Sequence, residues 1–359
     1  MKKIIGGFLA VALLASPFTQ VANAEESEFA DPYYKYFAED IAGHWAEEDM
    51  TLMQQTDVIK GIRGGDGLLY LQPDALITRA QFTSLVVRAL ELKTDQPGKT
   101  FTDVGNHWAK EEIRIASALG IISGKTETEF KPNMNITRAE IAAIVARAFD
   151  PTVAFETGTP KEFSDVKPDH WAYEHIRKVS ALDIVRGTTA TTVSPNQNAK
   201  RAEAAVMLKR ALWKESADIF EASGTVDQLF ESEVETIDAI NEKDMPRVFQ
   251  INDSKRYGLA HEYEKLNGQI FESMFAEGED AAIEVSGPEI NIVYQTTRFI
   301  VVDVPHYMSD IYFRDPETGE WEEEPYTEDK SGYFYLIRRD GEWKIATADF
   351  YNDYLNFDF

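Results

Sequence analysis

The sequence predicts a multidomain protein in which an all-α region is followed by a smaller α+β domain with an antiparallel sheet. The triplet His-Trp-Ala occurs three times, and its tryptophans, Trp45, Trp108 and Trp171, stand 63 residues apart. A period slightly beyond about 50 residues favours a repeated two-helix unit with long loops. After residue 222 helical spacing gives way to short alternating and β-branched runs, which are typical of antiparallel strands.

The first 24 residues have the pattern of a signal peptide. Lys2 and Lys3 precede an apolar run from Ile4 to Leu14, and Ala22-Asn23-Ala24 is a small-residue cleavage site. The run is too short to span a bilayer, although an uncleaved membrane anchor is the alternative. We therefore expect residues 1–24 to be removed and residues 25–36 to form a short leader of a secreted chain.

Composition excludes several classes of function. The chain has no cysteine, so it has no disulfide, thiolate metal site, cysteine nucleophile or cysteine-linked lipid. Its net charge is −26, of which −20 falls from Ala222 onward. An acidic chain is repelled by phosphate backbones and anionic lipids, so we expect no nucleic-acid partner and no membrane insertion of the mature chain.

Each repeat is predicted to form two helices joined by a loop. The distance from the tryptophan to a glycine, Gly61, Gly124 or Gly187, is 16 residues in every copy. The first helix is predicted to end at a residue that tolerates left-handed backbone geometry, and these residues are Asp57, Gly120 and Asp183. A second arginine closes each second helix, where a cation suits the helix dipole, and these arginines are Arg88, Arg147 and Arg210.

The second helix of each repeat begins at an arginine that follows a capping residue. Thr137-Arg138-Ala139-Glu140 is a capping box, and Thr78 to Gln81 is its glutamine version. Lys200 replaces the threonine in repeat three, so we expect that helix to be less well capped.

These three units resemble S-layer homology domains, whose pattern is Phe-x-Asp, a His-Trp-Ala helix, a glycine turn and an Ile-Thr-Arg-Ala-Glu helix. We place the repeats at residues 37–93, 99–155 and 161–215. The resemblance implies a pseudo-threefold helical bundle whose grooves hold a pyruvylated secondary cell wall polysaccharide. It also implies non-covalent anchoring to a Gram-positive cell wall, and hence a secreted, cell wall or S-layer associated protein.

Four residues of each repeat are candidates for binding this carbohydrate. The aspartate would accept from hydroxyls or orient the arginine, the tryptophan would offer a ring face, and the glycine would admit the ligand. The arginine, together with free amides at the helix start, would bind the carboxylate. The full set is Asp40, Trp45, Gly61, Arg79, Asp103, Trp108, Gly124, Arg138, Asp165, Trp171, Gly187 and Arg201.

Structural alternatives remain for these residues. Each tryptophan could only pack in the core, and each arginine could pair with a carboxylate of a neighbouring repeat. The three His-Trp-Ala histidines are interpreted as polar residues at a helix start and not as metal ligands, because they lie too far apart in sequence. We expect no metal, cofactor or catalytic residue.

The repeats depart from the pattern to different degrees. Repeat two keeps every element, whereas repeat one has Gln81 for glutamate and four extra loop residues, which predict a longer and more mobile loop. Repeat three has one extra residue between Asp165 and Trp171 in addition to Lys200. Motif completeness therefore ranks the grooves two, one, three for ligand affinity.

Residues 222–359 are predicted to form an acidic α+β domain. Helices are expected at Val226 to Asn241, through Phe249, and from Tyr257 to Phe275, with a break at Asp244-Met245-Pro246. Five strands are expected at 282–285, 290–296, 298–304, 333–338 and 343–350, with a hairpin at Asp340-Gly341. The acidic stretch 317–329 is interpreted as a mobile loop.

The closing segment from Tyr333 to Ile345 is similar to the last hairpin of the nuclear-transport-factor-like, or cystatin-like, α+β cone. That superfamily hosts many activities, so the resemblance does not give a function.

Two functions remain open. The first is a non-enzymatic wall protein that presents the C-terminal domain to an unknown small molecule or protein. The alternative is a wall-tethered isomerase or hydrolase. A carboxylate or histidine buried at the base of a pocket in the C-terminal domain would favour this alternative.

Overall fold

The computed structural model describes residues 34–216, 222–287 and 289–353. The predicted signal peptide and most of the predicted leader lie outside these residues. The described residues divide between two compact units, 37–216 and a second that combines 34–36 with the residues after 221. None of the helices in the described part of the chain is long and apolar enough to cross a membrane. A helical N-terminal region and a sheet-containing C-terminal region are confirmed.

Each repeat of the N-terminal unit contributes two main helices. They are α1 (Glu47–Gln55) and α2 (Arg79–Ala89), α3 (Lys110–Ala118) and α4 (Arg138–Ala148), and α5 (Tyr173–Ser180) and α6 (Arg201–Leu212). The second helix of each repeat packs against the first helix of the next: α2 against α3, α4 against α5, and α6 against α1. The contacts thus run from repeat one to two, two to three, and three back to one.

Backbone hydrogen bonds close the same cycle at its centre. The amide of Ile77 donates to the carbonyl of Ala199 at 3.2 Å, that of Ala199 to Ile136 at 2.9 Å, and that of Ile136 to Ile77 at 3.0 Å. All three side chains are buried, so these polar groups are satisfied by one another away from water. Each repeat therefore depends on both others for its central backbone bonds.

The predicted helix ends are confirmed. Asp57, Gly120 and Asp183 have φ of 55°, 71° and 59°, the left-handed geometry that ends a helix. Both threonine capping boxes are formed, by Thr78 with Gln81 and by Thr137 with Glu140.

Lys200 makes only half of its capping box. Its backbone amide donates to Glu203 Oε2 at 2.9 Å, but its ammonium cannot accept from the Glu203 amide and donates instead to Asp74 Oδ1 at 2.6 Å. The expected weaker cap is thus present in the geometry.

The longer loop of repeat one forms a hairpin, which the sequence analysis did not predict. Strands β1 (Ile62–Arg63) and β2 (Leu69–Tyr70) pair antiparallel. The hydroxyl of Tyr70 donates to Asp66 Oδ2 at 2.6 Å, and the Leu68 amide donates to Asp66 Oδ1 at 3.1 Å, so Asp66 holds the turn.

In the C-terminal unit three helices precede the strands, as predicted. They are α7 (Ala222–Asn241), α8 (Met245–Lys255) and α9 (Gly258–Ala276). The expected break at residues 244–246 is the start of α8, because Asp244 caps it and Pro246 occupies its first turn, where proline is tolerated.

The strands form two antiparallel sheets, and a last helix, α10 (Phe350–Asp353), follows them. One sheet has the order β3-β6-β7, with strands Asp280–Val285, Met308–Arg314 and Tyr326–Asp329. The other has the order β4-β5-β8-β9, with strands Asn291–Gln295, Phe299–Val304, Gly332–Arg339 and Glu342–Ala348. The loop assigned to 317–329 is partly wrong, since its last four residues are β7, and β6 was missed.

The interior of the C-terminal unit contains charged residues among its apolar side chains. Arg256 is only 1% exposed, and its Nη2 donates to Glu233 Oε1 at 2.6 Å and to the Thr236 hydroxyl at 3.3 Å. Glu328 is also buried and lies 3.5 Å from Lys330 Nζ, while the Tyr263 hydroxyl donates to it at 3.3 Å. Buried charges are tolerated because they are paired.

Replacing Lys200 by Thr should strengthen the start of α6, because a hydroxyl there accepts the free amide of Glu203. Hydrogen exchange of the first turn of α6 in the full chain should slow by roughly fivefold, the equivalent of a typical N-cap. Thr137→Ala is the matched control and should speed exchange in the first turn of α4 to a similar extent. Unchanged exchange in Lys200→Thr would show that the cap does not limit this helix.

Replacing Glu233 by Gln should destabilise the C-terminal unit by about 3–5 kcal/mol, because Arg256 loses its charged partner in the interior. Native-state hydrogen exchange of β8 and β9 measures this loss without requiring two-state unfolding of the whole chain. Glu231→Gln, on the exposed side of α7, should leave the same amides unchanged. Equal protection in both variants would contradict a structural role for the buried pair.

Candidate functional site

The three tryptophans lie on the surface of the N-terminal unit. Trp45, Trp108 and Trp171 are 62%, 62% and 58% exposed, so the core-packing alternative is wrong. Each indole ring stands beside the ring of the preceding histidine, with centroids 5.5, 5.4 and 5.8 Å apart. The chain thus displays three large apolar rings in equivalent positions, where they stabilise no core of the described unit.

The histidines hold the starts of these helices. In each copy Nδ1 accepts the amide of the alanine two residues on, at 3.2 Å. They therefore act as helix-start residues, as predicted from their position, and this bond fixes the ring next to the tryptophan.

Two of the three motif arginines are buried and paired. Arg79 Nη1 donates to Glu140 Oε1 of the next repeat at 2.5 Å, while Nε and Nη2 donate to the carbonyls of Phe130 and Ser123, each at 2.9 Å. Its burial lowers the pKa of its guanidinium, and the charge of Glu140 opposes this shift. The structural alternative, pairing with a neighbouring carboxylate, is confirmed at this position.

Arg138 repeats the arrangement one repeat further on. Its Nη1 donates to Glu203 Oε1 at 2.7 Å, and its Nε and Nη2 donate to the carbonyls of Val193 and Arg186 at 2.8 and 2.9 Å. We call these contacts the one–two junction (Arg79) and the two–three junction (Arg138).

The three–one junction differs. Arg201 Nε donates to the carbonyl of Leu71 at 2.8 Å, which matches the Nε bond of the other two arginines. Within the described residues no carboxylate forms an ion pair with Arg201, because the position of Glu140 and Glu203 is held by Gln81 in repeat one.

The motif aspartates hold the loop before the second helix of their own repeat. Asp103 accepts the amides of Phe130 and Lys131 at 2.9 and 2.8 Å. Burial raises the pKa of Asp103, but these two amide bonds outweigh it and the pKa is lowered. Asp40 and Asp165 make the same pair of bonds, to residues 71 and 72 and to residues 193 and 194.

The free amides expected at the second-helix starts are already used. The first two helical amides of each copy donate to carbonyls of another repeat at 2.8–3.0 Å. These amides belong to Arg79 and Ala80, Arg138 and Ala139, and Arg201 and Ala202. The expected anion site formed by helix amides is therefore wrong, because neighbouring repeats occupy it.

Each motif glycine lies where another part of the same chain approaches its backbone closely. A Cβ on Gly124 would lie 2.3 Å from the carbonyl oxygen of Thr126, and one on Gly187 would lie 2.2 Å from that of Thr189. A Cβ on Gly61 would meet the side chain of Leu69 at 2.5 Å. The close backbone approach that requires glycine is thus intramolecular.

A cavity of about 390 Å³ joins residues of all three repeats, and we call it groove two. Of the predicted residues it contains Arg79, Gly124 and Trp171. Sequence reasoning missed its other charged residues, which are Lys125, Glu140 and Arg147. An arginine recurs at the position of Arg147 in the other two repeats, as Arg88 and Arg210, and this recurrence could have identified it as a candidate. The positions equivalent to Lys125 are Ile62 and Thr188, so no recurrence points to the lysine.

Groove two carries an excess of positive charge. Lys125 Nζ lies 2.7 Å from Glu140 Oε1, the same oxygen that Arg79 contacts, so one carboxylate serves two cations. Arg147 contacts the Ile121 carbonyl at 3.5 Å and His175 Nε2 at 3.3 Å, and no carboxylate among the described residues pairs with it. Burial, and then the charge of Arg147, lowers the pKa of His175, so this histidine is neutral and can accept.

Comparison with known proteins places the repeats in a family. A family model of the S-layer homology domain matches residues 39–83, 100–142 and 162–205. An endoglucanase of Bacillus sp. (strain KSM-635) is 29% identical over 218 residues, 60% of this chain and 22% of that protein. An S-layer protein of Bacillus thuringiensis subsp. finitimus is 28% identical over 211 residues, 58% of this chain and 24% of that protein.

A cellulosome-anchoring protein of Acetivibrio thermocellus is 29% identical over 161 residues, 43% of this chain and 35% of that protein. The matched part of this chain therefore covers well under half the length of each of these relatives. The ranges that the family model matches contain the three exposed tryptophans and the three motif arginines. The chain carries three S-layer homology domains, which mark it as a secreted protein associated with the cell wall.

Proposed function

We propose that the N-terminal unit anchors the chain non-covalently to a Gram-positive cell wall by holding an anionic, pyruvylated secondary cell wall polysaccharide. The observation that carries this proposal is the combination, in groove two, of an exposed tryptophan with cations that exceed the carboxylates present. Relatives described as an S-layer protein and as a cellulosome-anchoring protein support it.

The chemistry of the groove suits a charged sugar. The face of Trp171 offers apolar surface to a pyranose ring, and Arg147 offers a guanidinium to a ketal carboxylate. A charge-assisted hydrogen bond of this type contributes roughly 1.5–3 kcal/mol. The volume of about 390 Å³ falls within the range of about 300–1,000 Å³ that is usual for small-molecule pockets.

Eleven of the twelve predicted residues divide into two roles under this proposal, and Arg201, which has no carboxylate partner among the described residues, is the exception. Trp45, Trp108 and Trp171 contact the sugar, since their rings face solvent. The three aspartates, the three glycines, and Arg79 and Arg138 shape the grooves through contacts within the chain. We also infer that the cyclic helix contacts form a pseudo-threefold bundle, and that the anchored chain presents its C-terminal unit to a ligand or protein.

Co-sedimentation of the full chain with purified cell walls tests the anchor. Binding should be lost when the secondary polymer is extracted from the walls, and it should weaken as ionic strength rises, because exposed charge pairs are screened. Binding that survives removal of the polymer would contradict the proposal.

Two substitutions in groove two should weaken binding to the isolated polymer. Trp171→Ala removes the ring face and Arg147→Gln removes the unpaired guanidinium, and each should lower the affinity by roughly tenfold. Trp321→Ala, an exposed tryptophan of the C-terminal unit, is the matched control and should bind as the wild type does. Equal affinities of all three variants would exclude groove two as a binding site.

A second function, a wall-tethered enzyme, is favoured by the polar interior of the C-terminal unit. Burial raises the pKa of Glu233 and of Glu328, as is common for catalytic acids. Half-buried Glu264 accepts a hydrogen bond from the Tyr351 hydroxyl at 3.5 Å. It also interacts electrostatically with Tyr307 and Lys330, which belong to the same buried cluster. The order of helices before strands is also that of the cone-like fold, which we propose for the C-terminal unit.

A screen of wall-derived oligosaccharides and peptides for thermal stabilisation of the full chain tests this second function. Hits that bind the cluster should be lost in Glu264→Gln and kept in Glu272→Gln, an exposed position further along α9. A screen in which every hit is equally retained by both variants would argue against a ligand site in the cluster.

A further inference from the structure

The second helix of each repeat carries an arginine in its last turn and packs against the first helix of the next repeat. Four residues after its tryptophan, that first helix holds Asp49 in repeat one, Glu112 in repeat two and His175 in repeat three. Four residues make about one helical turn, so these three residues occupy matching positions. Two copies therefore place a carboxylate at this position, and one places an imidazole.

His175 orients the guanidinium of Arg147. Arg147 Nη2 lies 3.3 Å from His175 Nε2, and its Nη1 donates to the Ile121 carbonyl at 3.5 Å. A guanidinium can only donate, so Nε2 of the imidazole accepts and the ring is neutral. Burial, and then the charge of Arg147, lowers the pKa of His175, which favours this neutral state. The contact therefore fixes the direction of the guanidinium and adds no negative charge beside it.

The carboxylates around this contact are already used. Three of them line groove two or stand close to Arg147 and His175 in the chain, and their pairs are Glu140 with Lys125, Glu174 with Arg177, and Asp150 with Lys178. Burial lowers the pKa of the Arg147 guanidinium with no nearby carboxylate acting against it. Burial also lowers the pKa of Arg210, but there the charge of Asp49 acts in the opposite direction.

The uncompensated charge of Arg147 faces groove two. Arg147 and Trp171 both line its cavity of about 390 Å³. His175 is not one of the lining residues, so it acts on the groove through Arg147. A carboxylate in its place would hold the guanidinium from within the protein, because a charge-assisted hydrogen bond is roughly twice as strong as one between neutral groups. A ligand anion would then have to compete with that internal partner.

We propose that His175 is a positioning residue that makes groove two the strongest anion-binding groove of this anchor, because it orients Arg147 without neutralising it. The inference rests on the proposed wall-polymer function and specifies which groove reads the charge of the ligand. The ligand class is a glycan that carries a carboxylate beside a pyranose ring able to stack on Trp171. In the other repeats Asp49 and Glu112 place a carboxylate at the matching position, and those grooves bind the anion less tightly.

Two variants of the full chain at the same position test this role. His175→Glu supplies Arg147 with the carboxylate that the other repeats carry, so the unit should fold with an unchanged or higher melting temperature. Its affinity for the isolated polymer should fall by roughly tenfold, the equivalent of one charge-assisted bond. His175→Gln is the matched control, because glutamine has the size of glutamate and remains a neutral acceptor, and it should bind as the wild type does.

A chemical control isolates the carboxylate of the ligand. Mild acid removes ketal-linked pyruvate from the polymer, and wild type and both variants should bind this treated polymer equally weakly. If His175→Glu binds the untreated polymer as tightly as the wild type does, the role of His175 is wrong and the anchor stands. If His175→Gln loses as much affinity as His175→Glu, the histidine is needed for its shape and the charge argument fails. Wild type that does not bind the polymer at all would overturn the proposed function together with this inference.

Discussion

The N-terminal unit depends on one constraint, which is that every second helix begins inside another repeat. Its first two amides donate to carbonyls of that repeat, and the central bonds among Ile77, Ile136 and Ala199 close the cycle. Polar groups at a helix start must find partners, and here the partner is always a neighbouring copy. A single repeat would leave these groups unsatisfied, so the three repeats are stable only as a set.

This constraint explains why so many motif residues belong to the scaffold. Asp103 holds the loop that receives Arg79, and Gly124 lets that loop pass close to its own carbonyls. The arginine then enters the loop and binds two of its carbonyls. The residues that the scaffold uses least are the exposed tryptophans and Arg147, and the proposed ligand site is built on these.

The sequence predicted what is local, but it predicted contacts between repeats only as an alternative and without their partners. Helix ends at Asp57 and Asp183 and the capping boxes follow from residue types within a few positions, and the structure has them. The pairing of Arg79 with Glu140 joins residues 61 positions apart, and no spacing rule reveals it. The exposure of the tryptophans is also invisible in a helical pattern, because an apolar residue at a helix start can face either way.

The C-terminal unit shows the same limit. Its order of helices and strands was predictable from periodicity, but β6 and β7 were missed because charged residues interrupt their alternation. The placement of Glu233 against Arg256 joins two helices and could not be read from either one. Replacing such a buried pair by well-packed apolar residues is often neutral, whereas removing one partner is destabilising because the other charge is left unpaired.

A scaffold closed by backbone bonds allows one of its copies to change. The amides of Arg201 and Ala202 keep their carbonyl partners in repeat one at 2.8 and 3.0 Å, although Gln81 has replaced the glutamate there. The glutamine also keeps the cap of α2, because its oxygen does the same work as one carboxylate oxygen. The third junction therefore lacks the ion pair of the other two but keeps the backbone bonds that hold the cycle. A change of this kind alters the charge of a junction without altering its backbone, and repetition makes it tolerable because the other two junctions keep their ion pairs.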